Sequence, residues 1–379
     1  MLTVRFTRHH TAGMRAVVAN VLLVGAMTLA ACHRRQAHLV FTRREGTRDR
    51  LYIVEPMGSS APTPALTDIA SDVFSGVAVN DGRGLIVVVR DDSTHASLWR
   101  VAVDRTLHLE RRLANIPVTI LVAASHDGHA ALLNSTATNA NEVLIYREGR
   151  SPSVISLATF RYAAGGDVSS DGRRALIAGT PTSCTETSLA RCPLELFGVD
   201  LATDPPALHP IAVSTHANYQ PRFVPGTHDD RVLYQTTELD PSPLCANDLN
   251  HCWHDLVTRD YAGLESPRPM RSGVVGPAYS PGGTHLAFLS YVEPEAGCAA
   301  LPCSHQSLYV MTPGRDDARR VAVGEVAIFT QRYWSADDHW LAYHAEDRNS
   351  HARSIKTVHA DGAAGRSLGD GRIIAWVMQ

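Results

Sequence analysis

The sequence contains a single lysine, Lys356, so almost all of its positive charge is arginine. The arginines are scattered among aspartates, and 35 basic residues meet 38 acidic ones for a formal charge of −3. That balance lacks the clustered basic field that binds nucleic acid, and nucleic acid is not expected as a partner. The short motifs of several chemistries are also missing. There is no His-Glu-x-x-His, no Walker loop, no Gly-x-Ser-x-Gly elbow and no EF-hand loop, so no metal or cofactor is expected. From Ala37 onward no long segment carries a helical apolar period, which argues against a helical bundle. What is present is the composition of a folded chain, with 44% hydrophobic and 19% charged residues. Its 379 residues fit one large all-β domain or two or three ordinary ones.

Residues 1–15 hold Arg5, Arg8 and Arg15 and no acid, and an apolar stretch then runs from Ala16 to Leu29. A basic start, a short apolar run and small residues before a cut are the parts of a secretory signal. The run falls short of the ~20 residues that a bilayer span needs. Leu29-Ala30-Ala31-Cys32 resembles the lipobox of bacterial lipoproteins. The resemblance implies removal of residues 1–31, lipidation of Cys32, and a tether over 32–36. Several acyl chains give stable attachment where one is marginal. Residue 33 is His, not the Asp that marks inner-membrane retention in enteric bacteria, so the outer membrane is the expected destination.

One pattern keeps returning: a short strand, a turn rich in Asp and Gly, an apolar strand, a loop and another strand. It appears as VAVNDGRGLIVVV at Val77–Val89, VAASHDGHAALL at Val122–Leu133 and DVSSDGRRALIAG at Asp167–Gly179. It returns as PRFVPGTHDDRVLYQ at Pro221–Gln235, PAYSPGGTHLAFLSY at Pro277–Tyr291 and RYWSADDHWLAYHA at Arg332–Ala345. Asp-Gly between apolar runs is a hairpin signal, because tight turns need the positive φ that glycine tolerates. Turns roughly 45–60 residues apart match the spacing of propeller blades. The strands after the turns, such as Leu85–Val89, are apolar at consecutive positions, which calls for burial on both faces.

The last two copies, continuing into SLYVMTPGRDDARRV and IKTVHADGAAGRSL, resemble the repeats of TolB-like (WD40-like) β-propellers. The likeness is good there and looser in the middle, with FVPGTHDD departing most. It implies an all-β propeller of four-stranded antiparallel blades over residues 37–379. Six turns give six inner hairpins. HLVFTRR, RLYIVEP and TPALTD (His38–Arg44, Arg50–Pro56, Thr63–Asp68) read as the second to fourth strands of a seventh blade. Its missing first strand is RIIAWVM, Arg372–Met378, which would close the ring and leave no open edge. Seven blades are expected, with six as the alternative.

Apart from Cys32, the cysteines fall into neighbouring couples: Cys184 with Cys192, Cys245 with Cys252, and Cys298 with Cys303. Export to an oxidising compartment favours three local disulfides. Each couple occupies the slot between second and third strands of consecutive blades, so the stapled loops should share one sector of one face. Ordering a loop beforehand lowers the cost of binding, while stapling also protects a long exterior loop. His251, Cys252 and His254 could suggest a metal, but their spacing fits no structural zinc pattern. Trp253, His254 and His305 are expected on the binding face. His216, Tyr219, Arg222, Arg332 and Tyr333 lie near innermost strands and are expected at the channel mouth. The remaining histidines read as solvated surface, and Asp91-Asp92, Asp229-Asp230 and Asp337-Asp338 as local turn caps.

These features point to a monomeric, lipid-anchored, non-catalytic envelope propeller. Its expected partner is a protein or an envelope polymer, and a partner peptide could enter the channel. Serine peptidases with such repeats add an α/β-hydrolase domain, for which the 379 residues leave no room. A propeller lyase or glycosidase acting on polysaccharide is the alternative. It would need acids, His and Arg converging on the channel. A purely structural envelope component is a third reading.

Overall fold

The computed structural model describes residues 35–379 apart from 58, 67–71, 105, 136–141, 157–159, 185–191, 214–215, 238–253, 291–305, 329–333, 348–349 and 351. Cys32, Arg332, Tyr333, Trp253, His305 and the couples Cys245–Cys252 and Cys298–Cys303 therefore lie outside the described residues. Ala37–Gln379 forms one compact unit. Among the described residues it contains 27 strands and no helix.

The strands make seven antiparallel blades. Blade 1 has the order Arg372–Met378, Ala37–Glu45, Arg48–Val54, Thr63–Ala65, so the chain's last strand is its innermost. The register runs from Ala37 opposite Met378 to Thr42 opposite Arg372. Arg372 Nη2 adds a 2.8 Å hydrogen bond to Asp49 on the third strand. The closure expected from RIIAWVM is the closure found, and the six-blade alternative is excluded. Blades 2 to 5 begin with inner strands Asp72–Val79, Thr119–Ala124, Phe160–Val168 and Ala217–Phe223, each followed outward by the next three strands in sequence. Blade 6 begins with Val274–Tyr279.

Blades 6 and 7 share one seven-stranded sheet because Arg319–Ile328 serves both. From Arg319 to Val326 it pairs with Gln306–Met311 as the outer strand of blade 6. Val326 and Ile328 then pair with Ala345 and His344 of blade 7. A bridge from Trp334 to Leu341 completes the inner edge.

Packing explains the runs of consecutive apolar residues. In blade 2, Leu85, Val87 and Val89 face blade 1, where they join Val40, Ile374 and Val377. Ile86 and Val88 face blade 3 and join Leu121, Ala131 and Leu133. Blade 4 repeats this: Ala175 and Ile177 pack toward blade 3, Leu176 and Ala178 toward blade 5. Strand side chains alternate in direction, so a strand between two blades needs apolar residues at both parities. Each such Val or Leu gains about 1.5–3 kcal/mol on full burial.

The repeated Ser-x-Asp signal has a physical role. Ser125, Ser169, Ser280 and Ser335 are buried to 1% exposure or less. Each Oγ accepts the backbone N–H five residues on, at 3.0, 2.8, 3.1 and 2.8 Å. In three of the turns the hydroxyl also donates to the Asp two residues later, Asp127, Asp171 or Asp337. That Asp in turn accepts a backbone N–H from His129, Arg173 or His339. The hydroxyl thus replaces backbone pairing where the chain reverses. Blade 5 has Val224 in the serine's place, and its turn is two residues longer, closing from Val224 N to Arg231 O at 3.0 Å.

Candidate functional site

Turns between first and second strands lie at one end of the ring, and loops between second and third strands at the other. Between them runs a channel with a cavity of about 210 Å3 lined by residues of all seven blades. Blades 1, 6 and 7 contribute Trp376, Tyr279 and Trp334, and blades 2 and 3 small apolar residues such as Ala78 and Ala123. Blades 4 and 5 contribute Asp167 and Arg222, the two charged groups among the described lining residues. Each stands two positions before the first turn residue, Ser169 or Val224, where blades 2, 3 and 6 carry Val77, Ala123 and Ala278.

Local backbone chemistry brings the two charges side by side. The inner strands slip register between Gly165 and Asp167 and between Tyr219 and Arg222, and such bulges re-aim side chains. Gly166 lets blade 5 approach: a Cβ there would lie 2.5 Å from Pro221 Cγ and 2.8 Å from Pro221 O. Arg222 Nη1 then donates to the carbonyls of Gly166 and Pro221. Asp167 accepts N–H of Val168 at 2.9 Å on Oδ1 and N–H of Phe223 at 3.0 Å on Oδ2.

Both charged groups are deep in the molecule yet keep part of their surface on the channel. Burial raises the Asp167 carboxyl to about 6, against the pull of the Arg222 guanidinium and the two N–H donors. Burial likewise draws Arg222 below its usual value, with Asp167 acting the other way. Desolvation therefore outweighs pairing at this site. Burial also raises the Tyr279 hydroxyl.

The expected site residues separate in the structure. Arg222 lines the channel. Tyr219 is packed into the wall at 8% exposure, with its hydroxyl hydrogen-bonded to the His254 ring and the rings edge-on at 4.9 Å. His254 is fully buried, which corrects its expected place on the binding face. Its carbonyl accepts Gly273 N at 2.8 Å, so it anchors the start of its strand to the next blade. His344, 8% exposed, is a second histidine that is not surface. His216 precedes the inner strand of blade 5, and its carbonyl accepts Leu194 N at 3.3 Å. The Cys184–Cys192 disulfide is formed, with 5.7 Å between Cα atoms. It lies between the second and third strands of blade 4, Arg174–Pro181 and Glu195–Asp200. Asp229 and Asp338 do more than cap their own turns. Asp229 accepts Ser170 N and Oγ of blade 4, and Asp338 accepts Gly282 N and Thr284 Oγ1 of blade 6.

Sequence reasoning missed Asp167, Tyr279, Trp334 and Trp376. For Asp167, Tyr279 and Trp334 the available signal was a position one or two residues before a turn serine; Trp376 lies in the closing strand and has no such turn after it.

No family model matches the chain, and no curated protein matches it. Solved structures do. The β-propeller domain of the trilobed protease from Pyrococcus furiosus is 11% identical with a TM-score of 0.53, covering 89% of this chain and 95% of that one. The likeness is one of fold. A post-proline cleaving enzyme from Rickettsia typhi is 7% identical with a TM-score of 0.53 over 89% of this chain and 53% of its own. This propeller chain thus spans about half of that enzyme's length. TolB from Acinetobacter baumannii is 12% identical with a TM-score of 0.48, covering 95% of this chain and 71% of that one.

Proposed function

We propose that this chain is a lipid-anchored propeller of the bacterial cell envelope, exported and held at the outer membrane through Cys32, which binds a protein or an envelope polymer. One loop face and the channel form the binding surface, and the chain acts as a monomer. The observation that carries this reading is the loop disulfide Cys184–Cys192 in blade 4. The loops of blades 5 and 6 that hold the other two cysteine couples occupy the same slot. A disulfide fits an oxidising compartment, and adjacent stapled loops fit a surface ordered before it meets its partner.

The test is cross-linking of the mature protein in intact envelopes, with identification of what co-purifies. A reproducible partner lost on mutation of the blade 4–6 loops is the expected result. Cys32→Ala should leave the membrane fraction and take up no labelled fatty acid. A variant that remains acylated removes the anchor from the proposal. Asp167 favours a second reading, polysaccharide cleavage, because a channel carboxyl that titrates at about 6 suits general acid catalysis. Turnover of capsular or cell-wall sugar by the pure protein, lost in Asp167→Asn, would establish it.

A further inference from the structure

Arg222 and Asp167 do not present the same free valence to the channel. Both carboxylate oxygens of Asp167 already accept a backbone N–H. On Arg222 only Nη1 is engaged, with Gly166 and Pro221, and Nε and Nη2 make no hydrogen bond among the described residues. Tyr279 adds a second unspent group. It is 4% exposed, lines the cavity from the adjacent blade, and its hydroxyl makes no hydrogen bond among the described residues. Both groups open on the cavity, where a ligand can complete their hydrogen bonding. A guanidinium with two free N–H positions offers the planar fork that matches a carboxylate.

We propose that the channel captures the C-terminal carboxylate of a partner peptide, with Arg222 as its cation and Tyr279 as an additional donor. The wall selects a peptide over an acidic sugar. Val77, Ala78, Ala123 and Trp376 offer apolar contact and no side-chain acceptors for a row of hydroxyls. The cavity, about 210 Å3, is smaller than the roughly 300–1,000 Å3 that takes a drug-sized ligand, so it admits a chain end. This inference rests on the channel being a binding surface, as in the function proposed above.

The test is calorimetric titration of the full mature chain with the tripeptide Val-Ala-Ala, its C-terminal amide and a uronic-acid disaccharide. The free carboxylate should bind at least about tenfold more tightly than the amide, the factor expected of a hydrogen bond to a charged group. That gap should vanish in Arg222→Met, persist in part in Arg222→Lys, and shrink about threefold in Tyr279→Phe. The peptide and amide comparison needs no variant, so a misfolded Arg222→Met cannot obscure it. Equal binding of peptide and amide, no binding of either, or tighter binding of the disaccharide would overturn the proposal. The wider reading fails separately. A cross-linked partner held equally by wild type and Arg222→Met refutes the carboxylate site alone. Peptide binding without any envelope partner refutes the envelope role alone.

Discussion

Blades 4 and 5 stand side by side and turn their chains in different ways. Blade 4 reverses at Ser169, whose buried hydroxyl ties Arg174 N and Asp171 into a five-residue loop. Blade 5 has Val224 there and needs two more residues, closing at Arg231 with Thr227 Oγ1 donating to Val224 O at 2.7 Å. The extra length is used across the blade boundary. Asp229, at φ 60°, accepts two hydrogen bonds from Ser170, while Arg174 Nη1 reaches Asp229 O and Asp230. The regular turn closes on its own serine hydroxyl; the irregular one lacks that side chain and closes through a longer backbone loop. The channel pair Asp167–Arg222 lies on the same boundary.

Gly166→Ala should break that boundary most severely. The new Cβ would meet Pro221 side chain and backbone alike, and neither can move without shifting the bulge that carries Arg222. Denaturant unfolding should show a loss of about 3 kcal/mol.

The next largest effect is on pH dependence. Asp167 holds its proton to about 6 when folded, against 3.8 ordinarily. Between those values the native state binds more protons than the unfolded one, so its contribution is present at low pH and is lost as pH rises through about 6. The loss approaches roughly 3 kcal/mol at neutral pH. Asp167→Asn should flatten the stability profile between pH 4 and 7. His344 has the opposite sign, since burial lowers its value from 6.5. Its contribution is present above 6.5 and is lost as pH falls, and His344→Gln should remove that acid-side loss. Parallel profiles for wild type and Asp167→Asn would show that the carboxyl does not titrate as its burial requires.

Ser169→Ala should cost about 2 kcal/mol by leaving the part-buried Arg174 N–H without its acceptor, while Thr227→Val in blade 5 should cost about 1. Equal losses would remove the distinction between the two turns. Asp229→Gly gives the smallest change, about 1 kcal/mol or less, because it deletes exposed hydrogen bonds while easing the positive φ. Chemical denaturation of the two variants in parallel measures both.

Much of the fold was legible because its causes are local. Six turns were readable from Ser, Asp and Gly, since those side chains bond within five residues of themselves. The closing strand Arg372–Met378 was readable because the chain began in the middle of a repeat. The site was less legible. Asp167 reads as an ordinary turn flank, and only the bulge after Gly165 and the approach of Pro221 give it a partner and a raised proton affinity. Tyr219 and His254, 35 residues apart, read as exposed groups, yet they bury each other in the wall of blade 5.

The sequence by itself determined the blade repeat, its antiparallel order, the apolar strands filled at both parities, and the pairing of the chain's two ends. Those follow from period, turn chemistry and the need to bury every strand on two sides. Tertiary structure alone decided which residues face the axis and which charges share a boundary. Facing the channel is a property of the closed ring, set by contacts between blades about 55 residues apart in sequence, as Arg222 is from Gly166 and Asp229 from Ser170. No local signal carries the chemistry of Asp167, because the desolvation that sets it exists only once the neighbouring blade has arrived.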